Sequence, residues 1–381
     1  MTLNAAVLNR AALLAPALLM LAACGSATPA AAPLSPEALA AVTKDAGAPK
    51  DQLAREIDDL FTQKGLGETR AVVVMAGGKL AAERYGPGYS KDTRFISWSM
   101  AKTVTGVLIG MLVSDGLLAL DAPAPVPQWQ RPGDPRAEIT LRHLLQMRSG
   151  LRHTEAGDPP YESAEVRMLF LDGRDNMAKW AEEQPLEAEP GKQFEYSSNT
   201  SVILADIAAR ALTASTKPEV RRKAVADYLQ QRLFGPLGMT SMVPEFDASG
   251  TLIGGSLMHA TARDWAKLGE FLRRKGRAPG GEQLVPQRWV EAMVTPSPAS
   301  PHYGFQTWLN RPIPGTPAGE HPLFPDRAPK SLFSLIGHMG QYVLVSPTQQ
   351  VTLVRLGHSD STERPPMLQQ AADVLELYPE S

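Results

Sequence analysis

Apolar and polar positions along this chain fall into three rhythms. From Ala101 to Leu112 nearly every residue is apolar and Lys102 is the one charge. A helix that is apolar all round is buried inside a domain rather than laid on its surface, so this run predicts a core helix with Ser99 in its first turn and a stop at Asp115-Gly116. Alternating or continuous strand-like runs at 71–76 and 79–85, joined by Gly77-Gly78, predict a hairpin. Further strands are predicted at 332–338, 341–346 and 351–357, with Ser346-Pro347-Thr348 turning the last two. Helical spacing appears over 51–64, where Leu53, Ile57, Leu60 and Phe61 share a face and Gly65 ends it, and over 261–275, with Trp265, Leu268, Phe271 and Leu272 inward. Shorter helices are predicted at 140–147, 175–182 and 202–212, in a segment ending near Phe234, and at 366–377. Ser35-Pro36-Glu37 has the form of a helix start, with proline at the first helical position. The rest of 151–195 reads as irregular and charged, and 310–330 as a proline-rich loop.

Strands at both ends and helices between them can share one sheet only if the chain returns to where it began. The expectation is an α/β (α+β) fold: an antiparallel sheet flanked by terminal helices, an inserted, mostly helical lobe, and a cleft between the two. The sheet lobe should take about 51–95 and 300–381, and the helical lobe about 96–299. A chain of 381 residues, 43% of them hydrophobic, has ample material for that core. Lys and Arg number 38 against 40 Asp and Glu, and no basic stripe appears, so nucleic acid is not an expected partner. Nothing in the sequence sets an oligomeric state.

The first residues change the picture in a different way. Arg10 precedes an apolar run at 11–23, which is too short to span a bilayer and right for a secretory leader. The run ends Leu21-Ala22-Ala23-Cys24-Gly25, which resembles the lipobox of bacterial lipoproteins. That resemblance implies a lipoprotein signal peptide at 1–23, lipidation of Cys24, a lipid-anchored linker over 24–50, and a folded domain over 51–381 facing the periplasm. Cys24 is the only cysteine, as suits an exported chain without disulfides. An ordinary signal peptide with an accidental cysteine is the alternative.

Three places carry candidate chemistry. Ser99 and Lys102 are three apart, hence on one helix face. A serine hydroxyl needs a neighbouring base to become a nucleophile, and burial should lower the lysine pKa toward that role. The bland alternative is a serine cap beside a lysine that snorkels to water. Tyr196-Ser197-Ser198-Asn199 follows a Pro-Gly turn, where a loop can present side chains to a cleft. An ammonium nearby should push the phenol toward phenolate, making Tyr196 a proton shuttle. Gly337-His338-Met339-Gly340-Gln341 lies at a strand edge whose N–H groups could hold an oxyanion. His338 either shapes that edge or meets substrate. His143, His153, His259, His302, His321 and His358 have no metal-ligand spacing, so neither metal nor cofactor is expected.

In this order, Ser99-Met-Ala-Lys102, Tyr196-Ser-Ser-Asn199 and His338-Met-Gly340 resemble the three motifs of the penicillin-recognising serine hydrolases, which include class C β-lactamases, D-alanyl-D-alanine carboxypeptidases and related esterases. The likeness is closer to the aminohexanoate-dimer hydrolase branch. It extends through Phe95-Ile-Ser-Trp-Ser-Met-Ala-Lys102, Ser149-Gly-Leu151, Glu189-Pro-Gly191, Phe194-Glu-Tyr196, Pro236-Leu-Gly-Met239, Thr261-Ala-Arg-Asp264 and Gly340-Gln-Tyr342. The resemblance implies a β-lactamase/transpeptidase-like fold and an acyl-enzyme at Ser99, with Lys102 as base or pKa-lowering neighbour. Tyr196 would relay protons, the backbone N–H groups of Ser99 and Gln341 would form the oxyanion hole, and Ser198 or Asn199 would contact substrate or Lys102. Two departures weigh against penicillins. Met339 stands where penicillin-active members carry threonine, and Tyr196 and Asn199 are one residue further apart than in Tyr-x-Asn. The expected activity is hydrolysis of a small ester or amide. The rivals are a β-lactamase or D-alanyl-D-alanine peptidase, and a catalytically silent relative that binds a cell-wall ligand.

Overall fold

The computed structural model describes residues 33–317 and 320–380. The expected signal peptide and Cys24 lie outside the described residues. In chain order the elements are α1 (Pro36–Ala40), α2 (Lys50–Thr62), β1 (Glu68–Ala76), β2 (Lys79–Tyr85), β3 (Phe95–Ile96), α3 (Ala101–Ser114), α4 (Leu141–Leu145), α5 (Ala164–Phe170), α6 (Met177–Glu182), α7 (Ser198–Leu212), α8 (Pro218–Leu229), β4 (Val243–Pro244), β5 (Met258–Ala260), α9 (Ala262–Arg273), α10 (Gln287–Met293), β6 (Trp308–Leu309), β7 (Phe333–Gly337), β8 (Gln341–Ser346), β9 (Val351–His358) and α11 (Arg364–Glu376).

The main sheet is antiparallel in the order β2-β1-β9-β8-β7-β6, so the last strand of the chain pairs with the first. Successive side chains on a strand point to opposite faces, and this alternation splits the core in two. Val72, Val74, Leu344 and Leu353 pack under α2 and α11, the expected terminal helices. Val73, Val343, Val345 and Val354 belong to the larger core with α3, α7 and α9. Val104, Val107, Leu108 and Met111 of α3 are fully buried, as a helix apolar on every side requires. A second, small sheet runs β3-β5-β4.

Four expectations are corrected. The segment after Pro33 is not a linker. The Ser35 hydroxyl caps α1 by accepting the Ala38 N–H, and Val42 bridges to Ala82 on the outer edge of β2. Unpaired edges invite further pairing, and Thr43 N to Ala81 O (2.9 Å) and Glu83 N to Ala41 O (2.8 Å) supply it, so the folded body begins near Leu34 rather than at 51. The lobes do not divide at 96 and 299 either, because α9 lies against β1, β8 and β9 as part of the sheet layer. The stretch 151–195 holds α5 as well as α6, since Ser163 accepts the Val166 N–H and starts a helix there. Neither α10 nor the strands of the small sheet were anticipated; β3 and β4 are two residues each and β5 three, too short for any periodicity to register.

Candidate active site

The turn that carries Ser99 is fixed from behind. Ser97 donates its N–H to Met258 O (2.7 Å), accepts the Met258 N–H on its hydroxyl (3.1 Å), and donates that hydroxyl to Trp98 O (2.8 Å) and Ser256 O (3.2 Å). Trp98 then adopts φ 44°, a left-handed conformation rarely taken by a bulky residue and found where surrounding structure enforces it. A single 3-10 turn, Trp98–Met100, leads into α3. Ser99 stands on this turn, partly exposed, and Lys102 lies one turn on, 1% exposed.

The three N–H bonds of the Lys102 ammonium have three close acceptors: Ser99 Oγ (2.9 Å), Ser198 Oγ (2.7 Å) and Gly255 O (2.9 Å). Gly255 must be glycine, because a Cβ there would press on the backbone of Ser198. The Tyr196 ring centroid lies 4.7 Å from Nζ, which places the phenol beside the Ser99–Lys102 pair. Trp308, at 4.9 Å, and Tyr303, at 5.7 Å, pack around the Tyr196 ring. Both expected pKa directions are overturned. Burial does pull Lys102 down, but Tyr196, Glu155 and Glu165 together outweigh it and hold the ammonium above the ordinary lysine value. Burial pushes Tyr196 up, and the charge of Lys102 offsets this only in part, so the group is a neutral phenol rather than a phenolate.

The strand edge also differs from expectation. Asn310 N donates to Leu332 O (3.0 Å) and Trp308 pairs with Ser334, after which β6 ends and no other strand among the described residues pairs with the outer edge of β7. Backbone polar groups alternate sides along an antiparallel ladder. Those of Leu332, Ser334 and Ile336 therefore face the open edge, while those of Gly337 face its partner Gln341. Gln341 is 3% exposed, and its side-chain amide ties the hairpin to His338 O, Met339 O and Gly357 O. It is not an oxyanion donor; the N–H of Ile336 is the one turned to the cleft. Met339 and Gly340 form the β7–β8 turn with φ 58° and 80°, and Gly340 O accepts from the buried Arg355, so neither lines the cleft. His338 does line it, with its ring edge-on to Trp98 at 5.5 Å. Partial burial, Arg364 and His358 lower the His338 pKa. Asn199 is fully buried and donates to Ala164 O (3.2 Å). Of the two alternatives after Tyr196, Ser198 is the one on Lys102, which restores a Tyr-x-polar spacing.

These groups open on a cleft of about 560 Å³, lined by Ser99 and Tyr196 and walled by Trp98, Trp308, Ile336 and Phe170. The model of the Beta-lactamase family matches residues 57–376. The chain belongs to that family. A 6-aminohexanoate-dimer hydrolase from Paenarthrobacter ureafaciens is 26% identical over 259 residues, 64% of this chain. The match spans 62% of that relative's own length. Among solved structures, a presumed 6-aminohexanoate-dimer hydrolase from Bacillus anthracis is similar at TM-score 0.63 and 22% identity, covering 82% of this chain and 81% of that one. A family VIII carboxylesterase is similar at TM-score 0.59 and 14% identity, covering 86% and 95%. These structural likenesses establish the Beta-lactamase-type fold.

Within this Beta-lactamase-family cleft, sequence reasoning missed two carboxylates. Glu155 accepts the Ser198 N–H (2.6 Å) and hydroxyl (2.7 Å) and lies 3.5 Å from Lys102 Nζ. Glu165, on α5, is 3.2 Å from the same hydroxyl; burial and the charge of Glu155 push its pKa up to about 7. Both lie in the stretch read as irregular. The one signal was Ser163, a helix cap two residues before Glu165.

Proposed function

We propose that this chain is a serine hydrolase that forms an acyl-enzyme on a small ester or amide. The observation that carries the reading is Lys102 Nζ at 2.9 Å from Ser99 Oγ on the wall of the cleft. Ser99 attacks the carbonyl carbon, with Lys102 beside it. The N–H groups of Ser99 and Ile336 hold the oxyanion, worth about 3–4 kcal/mol for one well-placed donor. Tyr196, a neutral phenol next to the nucleophile, gives its proton to the leaving group and takes one back from water in deacylation. The names of the relatives, a 6-aminohexanoate-dimer hydrolase and a carboxylesterase, support hydrolysis as the reaction class. No hydroxyl side chain of β7 borders the cleft, since Ser334 bonds Leu335 O and Val343 O inside the sheet. This favours esters and amides over penicillins, whose carboxylate would want such a donor. Incubation with a fluorophosphonate, followed by mapping of the labelled residue and a panel of nitrophenyl esters, small amides and nitrocefin, tests the reading. Label on Ser99 and esters ahead of nitrocefin are expected. Labelling of a Ser99→Ala protein at the wild-type rate would refute it.

We further propose that the chain is exported and held at a bacterial membrane through Cys24, on the strength of Leu21-Ala-Ala-Cys24 alone. The several acyl chains of a bacterial lipoprotein bind firmly where one binds marginally. A Cys24→Ser variant should move from the membrane to the soluble periplasmic fraction, and unchanged association would rule the anchor out.

A further inference from the structure

An ammonium cannot take a proton from Ser99 until it has lost one, and the surroundings of Lys102 resist that loss. The structure contains a path by which the proton leaves. Lys102 Nζ donates to Ser198 Oγ at 2.7 Å, and that hydroxyl donates onward to Glu155 Oε1 at 2.7 Å. The other oxygen of the same carboxylate accepts the Ser198 backbone N–H at 2.6 Å, so Glu155 is fixed to the first residue of α7 by two bonds. Glu165 approaches the hydroxyl only to 3.2 Å and has no such second bond. Ser99, Lys102, Ser198 and Glu155 thus form one unbroken hydrogen-bonded row from the nucleophile to a carboxylate.

We propose that Glu155, acting through the Ser198 hydroxyl and Lys102, is the final acceptor of the Ser99 proton in acylation. The proposal rests on the reading of Ser99 as nucleophile given above. As Ser99 Oγ bonds the carbonyl carbon, the C=O electron pair moves onto the carbonyl oxygen. Lys102 gives one proton to Ser198, Ser198 passes its own to Glu155, and Lys102 takes the Ser99 proton on the lone pair so freed. Lys102 ends as an ammonium, Ser198 as a hydroxyl and Glu155 as a neutral acid. One proton has moved from Ser99 to Glu155 and nothing else has been gained or lost. The positive charge beside the oxyanion is therefore present throughout, where a neutral lysine base would have to be stripped of its proton against two nearby carboxylates. Tyr196 keeps its proton for the leaving group.

The groups whose charge bears on Glu155 from the surrounding elements are Lys102, Glu165, Glu195, Tyr196, Tyr303 and His338. The test therefore compares whole pH profiles rather than one pH. It uses the full chain, the rate of Ser99 labelling by a fluorophosphonate, and nitrophenyl acetate turnover. Glu155→Gln keeps the size of the side chain and removes the acceptor. Labelling rate and kcat at neutral pH should fall by about 10²-fold or more. KM should change by less than about threefold, and the acid limb of the profile should move to higher pH, because Lys102 must now lose its proton to solvent. Ser198→Ala breaks the row while leaving both carboxylates, and should reproduce the loss; Ser198→Thr restores a hydroxyl and should recover most of the rate. A folded Glu155→Gln protein with a wild-type rate overturns the proposal. So does one whose rate falls equally at every pH, since that is the mark of a structural role. If Glu155→Gln does not fold, the two Ser198 variants decide, and a wild-type rate for Ser198→Ala overturns it. Label still reaching a Ser99→Ala protein would instead sink the reading of the nucleophile, whatever Glu155 does.

Discussion

The Tyr196 ring lies 4.7 Å from Lys102 Nζ and is walled by Trp308 and Tyr303, so the ring packs while the hydroxyl is left for chemistry. Tyr196→Phe should fold as the wild type does, since the packing is kept. Its kcat should fall by about 10²–10⁴, the usual worth of general acid–base catalysis, with KM much less affected. Near-normal kcat in a correctly folded protein would reduce Tyr196 to a cleft wall. At this scale the sequence identified Ser99, Lys102 and Tyr196, because their spacing and apolar surroundings are local properties. It did not reveal which way the pKa values move, because the groups that raise Lys102, namely Tyr196, Glu155 and Glu165, stand more than fifty residues from it and only the fold unites them. Nor did it separate Ser198 from Asn199. Both lie in the first turn of α7, but neighbours on a helix point about 100° apart, so one meets Lys102 and the other Ala164.

The element that decides the cleft is β7, whose outer edge pairs with no strand among the described residues beyond Ser334. Gly337 brings this strand against the nucleophile turn: a Cβ there would strike the Ser97 carbonyl oxygen. Gly337→Ala should push β7 and the Ser97–Ser99 turn apart. A destabilisation of about 1–3 kcal/mol in urea unfolding is expected from overpacking, together with a labelling rate at Ser99 at least about tenfold lower from the displaced donor. A variant equal to wild type in both measurements would show that the contact relaxes freely. The β7–β8 hairpin was legible from alternation and turn residues, yet its register was not. The sequence motif falls on the turn, and the N–H that faces the open edge belongs to Ile336 on the strand before it, not to Gln341 on the inner strand after it. Helix α5 went unread because its seven residues give too little periodicity to stand out among the charges around it.

Across the whole molecule, the buried His153 and the half-buried His143, both away from the cleft, set a pH limit. His153 is 1% exposed, bonds Thr200 Oγ1 and Ala181 O, and is held by burial at a pKa of about 4; burial together with Arg148 and Arg142 takes His143 to about 4 as well. On unfolding, each regains its ordinary value of 6.5 and binds protons that the folded form refuses. Their contribution to stability is therefore intact above that value and is lost as pH falls from it toward 4, at up to about 1.4 kcal/mol per pH unit for His153. Urea unfolding at pH 7, 6 and 5 should show the decline as a progressively lower midpoint. A His153→Gln protein should show a shallower one, and an identical slope would remove His153 from the account. The overall architecture was the most legible level, since strands at both ends and helices between leave few ways to close one sheet. The lobe boundary was not, because α9 reads like any amphipathic helix and only packing reveals that it covers the sheet.

The pairing of β1 with β9 carries a consequence for biosynthesis. The β1–β2 hairpin emerges from the ribosome early, and the strand that completes it arrives almost last. Throughout that interval one side of β1, hydrophobic on both faces, has no neighbour of its own. Unpaired apolar strands are where nascent chains aggregate. A chain stalled before Val351 should therefore need a holding chaperone to stay in solution, and release of the full-length chain should be what ends that need.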